Sequence, residues 1–254
     1  LSAPAASVIA ECLRAQASVA KRERLARVIG RSPLSADSRP WYLGALGELD
    51  VARRLAALGP DWAVAHSIPI GTRGSDIDHL VVGPAGVFTI NSKFHEGARV
   101  WVGSRRLLVN GQKTDHIRNA RFEASRVKKV LTDIGAPPVV PIVAVVGARE
   151  VVVKAAPIDV FVLRAEKLTR WLAKRPVVLS SDQLSAARQA IVDPRRWGVQ
   201  VELTAGDYER FAALRREVKG AKRTRLAWAL GALTGVVTAA FSVGLPPALK
   251  LLGY

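Results

Sequence analysis

Two aspartates, an asparagine and a lysine stand close together in DIDHLVVGPAGVFTINSKFH, residues 76–95. Asp76 and Asp78 open an apolar run that reads as a strand, and residues two apart on a strand face the same side. Leu80 and Val82 continue that side, while Ile77, His79 and Val81 point the other way. In the next run Thr89, Asn91 and Lys93 share one face, with Ile90 and Ser92 opposite. GPAG between the runs is a turn with two glycines. A tight hairpin there would bring Asp78 beside Asn91 and Lys93, so that a carboxylate, an amide oxygen and an ammonium surround one point. A buried carboxylate is costly unless it is paired, and a metal ion or a lysine would offset the cost.

Phosphodiester hydrolysis uses such parts. A divalent ion held by oxygens polarises a phosphoryl oxygen and supplies hydroxide, and a lysine orients water or stabilises charge on the phosphate. Hard oxygen donors favour Mg²⁺ or Mn²⁺. The chain has four His and one Cys, with no CxxC or HExxH, so zinc is a poor fit. Asn91 stands where this chemistry prefers an acid.

Several elements must hold these groups in place. Residues 44–58, GALGELDVARRLAAL, read as a helix with Leu46, Leu49, Ala52, Leu55 and Leu58 on an apolar face and Glu48 beside it. That helix can carry Glu48 to the end of the sheet where Asp78 lies. WAVAHSIPI is a further strand, and ARVWVGSRRLLVNGQK is a hairpin turning at Asn110-Gly111. Residues 116–134 read as a helix of mixed polarity. VVPIVAVVG from Val139 reads as a strand buried on both faces. SDQLSAARQAI is a helix with Ser181 as its expected cap. This order of elements predicts a mixed α/β domain. No internal repeat is present.

The formal net charge of +17, from 38 Lys+Arg against 21 Asp+Glu, favours polyanionic partners, either nucleic acid or an anionic membrane surface. Arg105, Arg106, Lys113, Arg118 and Arg121 lie near the candidate site in sequence and are expected to contact a nucleic-acid backbone. His95 is on the Lys93 side by parity and could touch phosphate. His79 is expected to pack or hydrogen-bond on the opposite face. Trp101 reads as core, with a base-stacking platform as the alternative. One cysteine, Cys12, excludes an intrachain disulfide framework.

The C-terminal region has a different character. Residues 226–245 form an uncharged run of about 20 residues, the length of a membrane-spanning helix. KGAKRTR precedes it and, by the positive-inside rule, would hold the body at the cytoplasmic face of the cell membrane; the alternative is a soluble cytoplasmic protein. The expected organisation is a basic helical arm at 1–38, an α/β domain at 39–198, a basic helical linker at 199–225, a transmembrane helix at 226–245 and a short tail at 246–254.

GALGE with Glu48, SDIDHLVVGPAGVFTINSK with Asp78 and Lys93, and VWVGSRRLLVNGQ together resemble the nuclease-related (NERD) domain of the restriction-endonuclease-like PD-(D/E)xK superfamily. The resemblance covers residues 44–126 and implies a mixed sheet flanked by helices. It also implies Mg²⁺- or Mn²⁺-dependent hydrolysis of nucleic acid, DNA before RNA. Asp78 would be the principal metal carboxylate, Glu48 a further metal-side acid, and Lys93 the catalytic lysine. Asn91 falls on the first acid of the (D/E)xK element and would bind an ion without contributing charge. Two compensations are open: a larger share for Glu48, or Glu96 swinging in from the strand end. The alternative function is a catalytically inactive nucleic-acid-binding module tethered to the membrane.

Overall fold

The computed structural model describes residues 3–70, 76–135 and 137–244, with side chains described to residue 234. Ser75 and everything from Leu245 onward therefore lie outside the described residues. In chain order the helices are α1 (Ala6–Gln16), α2 (Arg24–Val28), α3 (Ser38–Leu55), α4 (His116–Val130), α5 (Leu168–Ala173), α6 (Ser181–Val192) and α7 (Ala205–Gly244). The strands are β1 (Ala63–Pro69), β2 (Asp76–Gly83), β3 (Gly86–Phe94), β4 (Arg99–Val102), β5 (Leu107–Val109), β6 (Gln112–Thr114), β7 (Val139–Val146), β8 (Glu150–Val153) and β9 (Phe161–Arg164).

The chain divides into two units, one of residues 1–12 and 39–204, the other of residues 13–38 and 205–254. The first is a mixed α/β unit. Its main sheet has the order β1-β2-β3-β7-β9, antiparallel from β1 to β3 and parallel from β3 to β9. A second sheet has the order β6-β5-β4-β8.

β7 explains the layering. Its residues from Pro141 onward are buried, as a continuous apolar run requires when both faces are covered. Ile142, Ala144 and Val146 pack on the α3 side with Val51 and Leu55. Val143 and Val145 face the other layer with Ile117 and Ala120 of α4, where Val100, Val102 and Leu107 of the small sheet also pack. The β5–β6 hairpin turns at Asn110 and Gly111, with φ of 49° and 85°, the left-handed pair that a two-residue turn needs.

Three expectations within this unit need correction. The buried face of α3 runs through Ala45, Glu48, Val51, Ala52 and Leu55, so Glu48 lies within the packed stripe and not beside it. The cap of α6 is Ser180, whose hydroxyl accepts from the Gln183 N–H while the Gln183 side chain accepts from the Ser180 N–H. Trp101 is 44% exposed, because Val100 and Val102 take the inward positions of β4 and parity turns the indole outward.

In the second unit, residues 22–31 lie along α7. Arg22 pairs with Glu217 at 3.2 Å, and the Trp228 indole N–H donates to the Val28 carbonyl at 2.8 Å. A Cβ on Gly30 would stand 2.7 Å from the Ala221 carbonyl, which is why the close approach needs glycine. The apolar stretch expected at 226–245 does not form a helix of its own. It continues the charged helix that begins at Ala205. Among the described residues no helix is long and apolar enough to cross a membrane. The side chains of residues 235–245 lie outside the described residues.

The N-terminal part of α1 belongs to the first unit. There Ala6, Ile9 and Cys12 are buried, and the Ala6 N–H donates to Ser67 Oγ at 3.1 Å. Burial pushes the Cys12 thiol up to about 11.

Candidate active site

The site lies where β2 and β3 part. Their ladder runs from Gly83↔Gly86 to His79↔Ile90 and stops there. One step further Asp78 would face Asn91, but β3 continues with β7 alone, through Asn91↔Val143 to Phe94↔Val146. The Ser92 N–H is thereby left without a ladder partner on β2. The Asp78 carboxylate replaces it, accepting from Ser92 N at 2.5 Å. That bond fixes the acid at the mouth of the fork.

β1 opens at the same level. Ser67 has a φ of 47°, and β1 pairs with β2 at His66↔His79 and Ile68↔Ile77 around it. The Ser7 hydroxyl hydrogen-bonds Asp76, so α1 braces the first aspartate.

Four elements contribute side chains. Asp76 and Asp78 come from β2, Asn91 and Lys93 from β3, Glu48 from α3 and Glu123 from α4. Glu48, Asp78, Asn91 and Glu123 are each buried to more than nine-tenths. Asn91 Nδ2 donates to Glu123 Oε1. Among the described residues, five buried side-chain oxygens have no hydrogen-bond partner: Glu48 Oε2, Asp76 Oδ2, Thr89 Oγ1, Asn91 Oδ1 and Glu123 Oε2. An unsatisfied buried polar atom costs about 1–3 kcal/mol, and four of these five belong to the acids and the amide gathered at the fork.

The electrostatics agree. Burial, then Asp78 and Asp76, raise Glu48 well above the usual carboxylate range, and Lys93 opposes them. Asp78 is pushed up to about 6 by burial, against the pull of Lys93. Burial raises Asp76 as well. Glu123 reaches about 8 through burial and the neighbouring Asp78, opposed by Lys93 and the Asn91 hydrogen bond. Four acids and one lysine thus share a single field.

The donor set fits a hard divalent ion in kind, since every orphan is oxygen. It is not a closed cage: among the described residues no three His, Cys, Asp or Glu side chains converge as a ready metal centre. Like-charged carboxylates with no cation between them repel one another, and an ion would draw them together.

On the opposite face His66 Nδ1 and His79 Nδ1 are 2.7 Å apart, and His79 Nε2 lies 3.1 Å from Ser92 Oγ. His79 therefore packs behind the residue whose N–H holds Asp78. Burial pushes His66 down to about 4 and His79 also downward, keeping both rings neutral. His95 and His116 stack, with their Nε2 atoms 3.3 Å apart, and both are lowered by burial and by Lys93.

The five cations expected to meet nucleic acid divide into two sets. Arg105, Arg106 and Lys113 are exposed on the small sheet and its loop, and among the described residues they make no ion pair. Arg118 pairs with Asp115 at 3.1 Å, and Arg121 grips Asp159 at 2.7 Å. Those two are already engaged. Glu96, one of the two compensations expected for Asn91, is exposed beyond the end of β3.

Sequence reasoning missed Glu123. Its signal was present: an acid inside the stripe of Ile117, Ala120, Ala124 and Val127 that buries one side of α4. Such a position is reserved for apolar groups unless the acid has work to do.

Residues 43–146 match the family model described as the nuclease-related domain. That segment of the chain is similar to the nuclease-related domain. Comparison with curated proteins and with solved structures gives no match. The matched segment takes in most of α3 together with β2, β3, α4 and β7, and with them Glu48, Asp76, Asp78, Asn91, Lys93 and Glu123. β9, α5 and α6 follow its end.

Proposed function

We propose that this nuclease-related domain hydrolyses phosphodiester bonds in nucleic acid, DNA being the first substrate to test, with Mg²⁺ or Mn²⁺ at the β2–β3 fork. The observation that carries the reading is the set of orphaned buried oxygens on Glu48, Asp76, Asn91 and Glu123 beside Asp78 and Lys93. The mixed sheet with flanking helices is compatible with a restriction-endonuclease-like fold.

Glu48, Asp76 and Asp78 would hold the ion, with the Asn91 amide oxygen as a neutral donor. A bound ion supplies Lewis-acid polarisation of the phosphoryl oxygen and lowers the pKa of its water. The chain's own residues do the rest. The Ser92 N–H holds Asp78 in one orientation. Lys93 offsets the negative charge of the acids and presents an ammonium to the phosphate oxygens. His95 and His116, neutral beside Lys93, flank the same approach. Trp101, Arg105, Arg106 and Lys113 offer one aromatic face and three free cations to a strand.

Purified protein incubated with linear, circular and single-stranded DNA should cleave only when Mg²⁺ or Mn²⁺ is added. Asp78→Ala and Lys93→Ala should each lower the rate by at least about a hundredfold, the usual loss for a group that stabilises the transition state. Cleavage that survives both substitutions would refute the reading. A second reading, a nucleic-acid-binding module without turnover, is favoured by Asn91, a neutral residue where metal-dependent hydrolysis prefers an acid. It predicts salt-sensitive binding and no product with any ion.

A further inference from the structure

We propose that Glu123 supplies the carboxylate that position 91 lacks, so that the acid of the β3 element is delivered from α4. The inference rests on the metal-dependent reading above and goes beyond it by assigning a further ligand and a division of labour.

Strand parity sends Asn91 and Lys93 to the face of the sheet that α4 covers. Val143 and Val145, paired with Asn91 and Lys93 on β7, pack there against Ile117 and Ala120. Glu123 is one turn further along the same buried stripe. Its Oε1 accepts from Asn91 Nδ2, while its Oε2 is buried and has no partner. Asn91 Oδ1 is likewise buried and unpaired. The two side chains thus hold each other by one bond and leave one free oxygen each.

The pairing is also exclusive. An acid at position 91 would confront Glu123 with a like charge in a buried place, which is strongly unfavourable. An amide there does the opposite, since its N–H fixes the carboxylate and its oxygen remains available. The charge of the site is kept, and its source has moved from strand to helix.

The test is Mn²⁺ affinity of the full chain, read from free Mn²⁺ by electron paramagnetic resonance, with circular dichroism melts as a check on folding. Wild type should bind. Glu123→Gln keeps the shape and the Asn91 bond, and should weaken binding at least about tenfold. Asn91→Glu alone should not tighten it. The double variant Asn91→Glu with Glu123→Gln, which puts the acid back on β3, should return to within about threefold of wild type. Asp78→Ala should lose Mn²⁺ in either case. If Asp78→Ala loses the ion while Glu123→Gln binds as wild type, Glu123 is not a ligand and the metal site stands. If Asn91→Glu tightens binding with Glu123 intact, the exchange is refuted. If wild type binds no Mn²⁺, both readings fall.

Discussion

Asp78 and Glu123 carry raised pKa values for the same reason, burial among other acids, and this gives the metal-free protein an unusual pH response. Glu123 rises from 4.5 to about 8 and Asp78 from 3.8 to about 6. A carboxyl group raised on folding favours the folded state while protonated, and that contribution is lost as pH rises through the folded value. His66 and His116 move the other way, from 6.5 to about 4. Their contribution is present above 6.5 and lost as pH falls towards 4. Between pH 6.5 and 8 the carboxyl effect acts alone. In chelator the melting temperature should therefore be higher at pH 6.5 than at pH 8, and saturating Mn²⁺ at pH 8 should recover the difference. Glu123→Gln should flatten the slope. A melting temperature that climbs from pH 6.5 to 8 in chelator would contradict this account of the site.

At the scale of elements, the small sheet offers its own test. β4 turns Arg99 and Trp101 outward and Val100 and Val102 inward, and Trp101 stands beside Leu108 and Val152 in register. Stacking a base on an exposed indole is worth about 1–3 kcal/mol. Trp101→Ala should weaken single-stranded DNA binding roughly fivefold or more, and each cation removed at Arg105 or Arg106 should reduce the salt slope by about 0.7. Fluorescence anisotropy at several salt concentrations measures both, and binding unchanged in Trp101→Ala removes the platform.

What could be read from the sequence follows the range of the interactions. The β2–β3 hairpin was legible because alternation and a glycine turn are local, and the Asn110-Gly111 turn was legible for the same reason. The fork was not. It arises because β3 runs on beyond its last pairing with β2 while its other edge stays paired to β7, a strand some 50 residues later in the chain. Glu123 stayed hidden because recognising it requires knowing that α4 covers the face bearing Asn91. The stripe on α3 was misplaced by one helical row, since leucines at spacings of three drift around a helix of 3.6 residues per turn, and Glu48 was left beside a face that it occupies. Trp101 was read as core because aromatic residues usually are, whereas valines on both sides had already claimed the inward positions.

At the scale of the whole molecule, opposite charges are sorted by depth. The chain carries a net +17, yet the fork concentrates four acids around one lysine. The basic surface attracts a polyanion from a distance, and the acids resist a phosphate at contact until a cation neutralises them. Under the metal-dependent reading proposed above, an ion at the fork would serve close approach as well as chemistry.

Cys12 gives this molecule a built-in clock. It is the chain's one cysteine, with no exposed surface and a thiol pKa near 11, so a thiol reagent reaches it only when α1 lifts away. α1 also holds Asp76 through Ser7. The labelling rate of Cys12 in native buffer should therefore slow when Mn²⁺ is added, because an ion that fastens Asp76 also fastens the helix that carries the thiol. A mass spectrometer following one adduct would time the breathing of the fork, and equal rates with and without Mn²⁺ would show that helix and fork open independently.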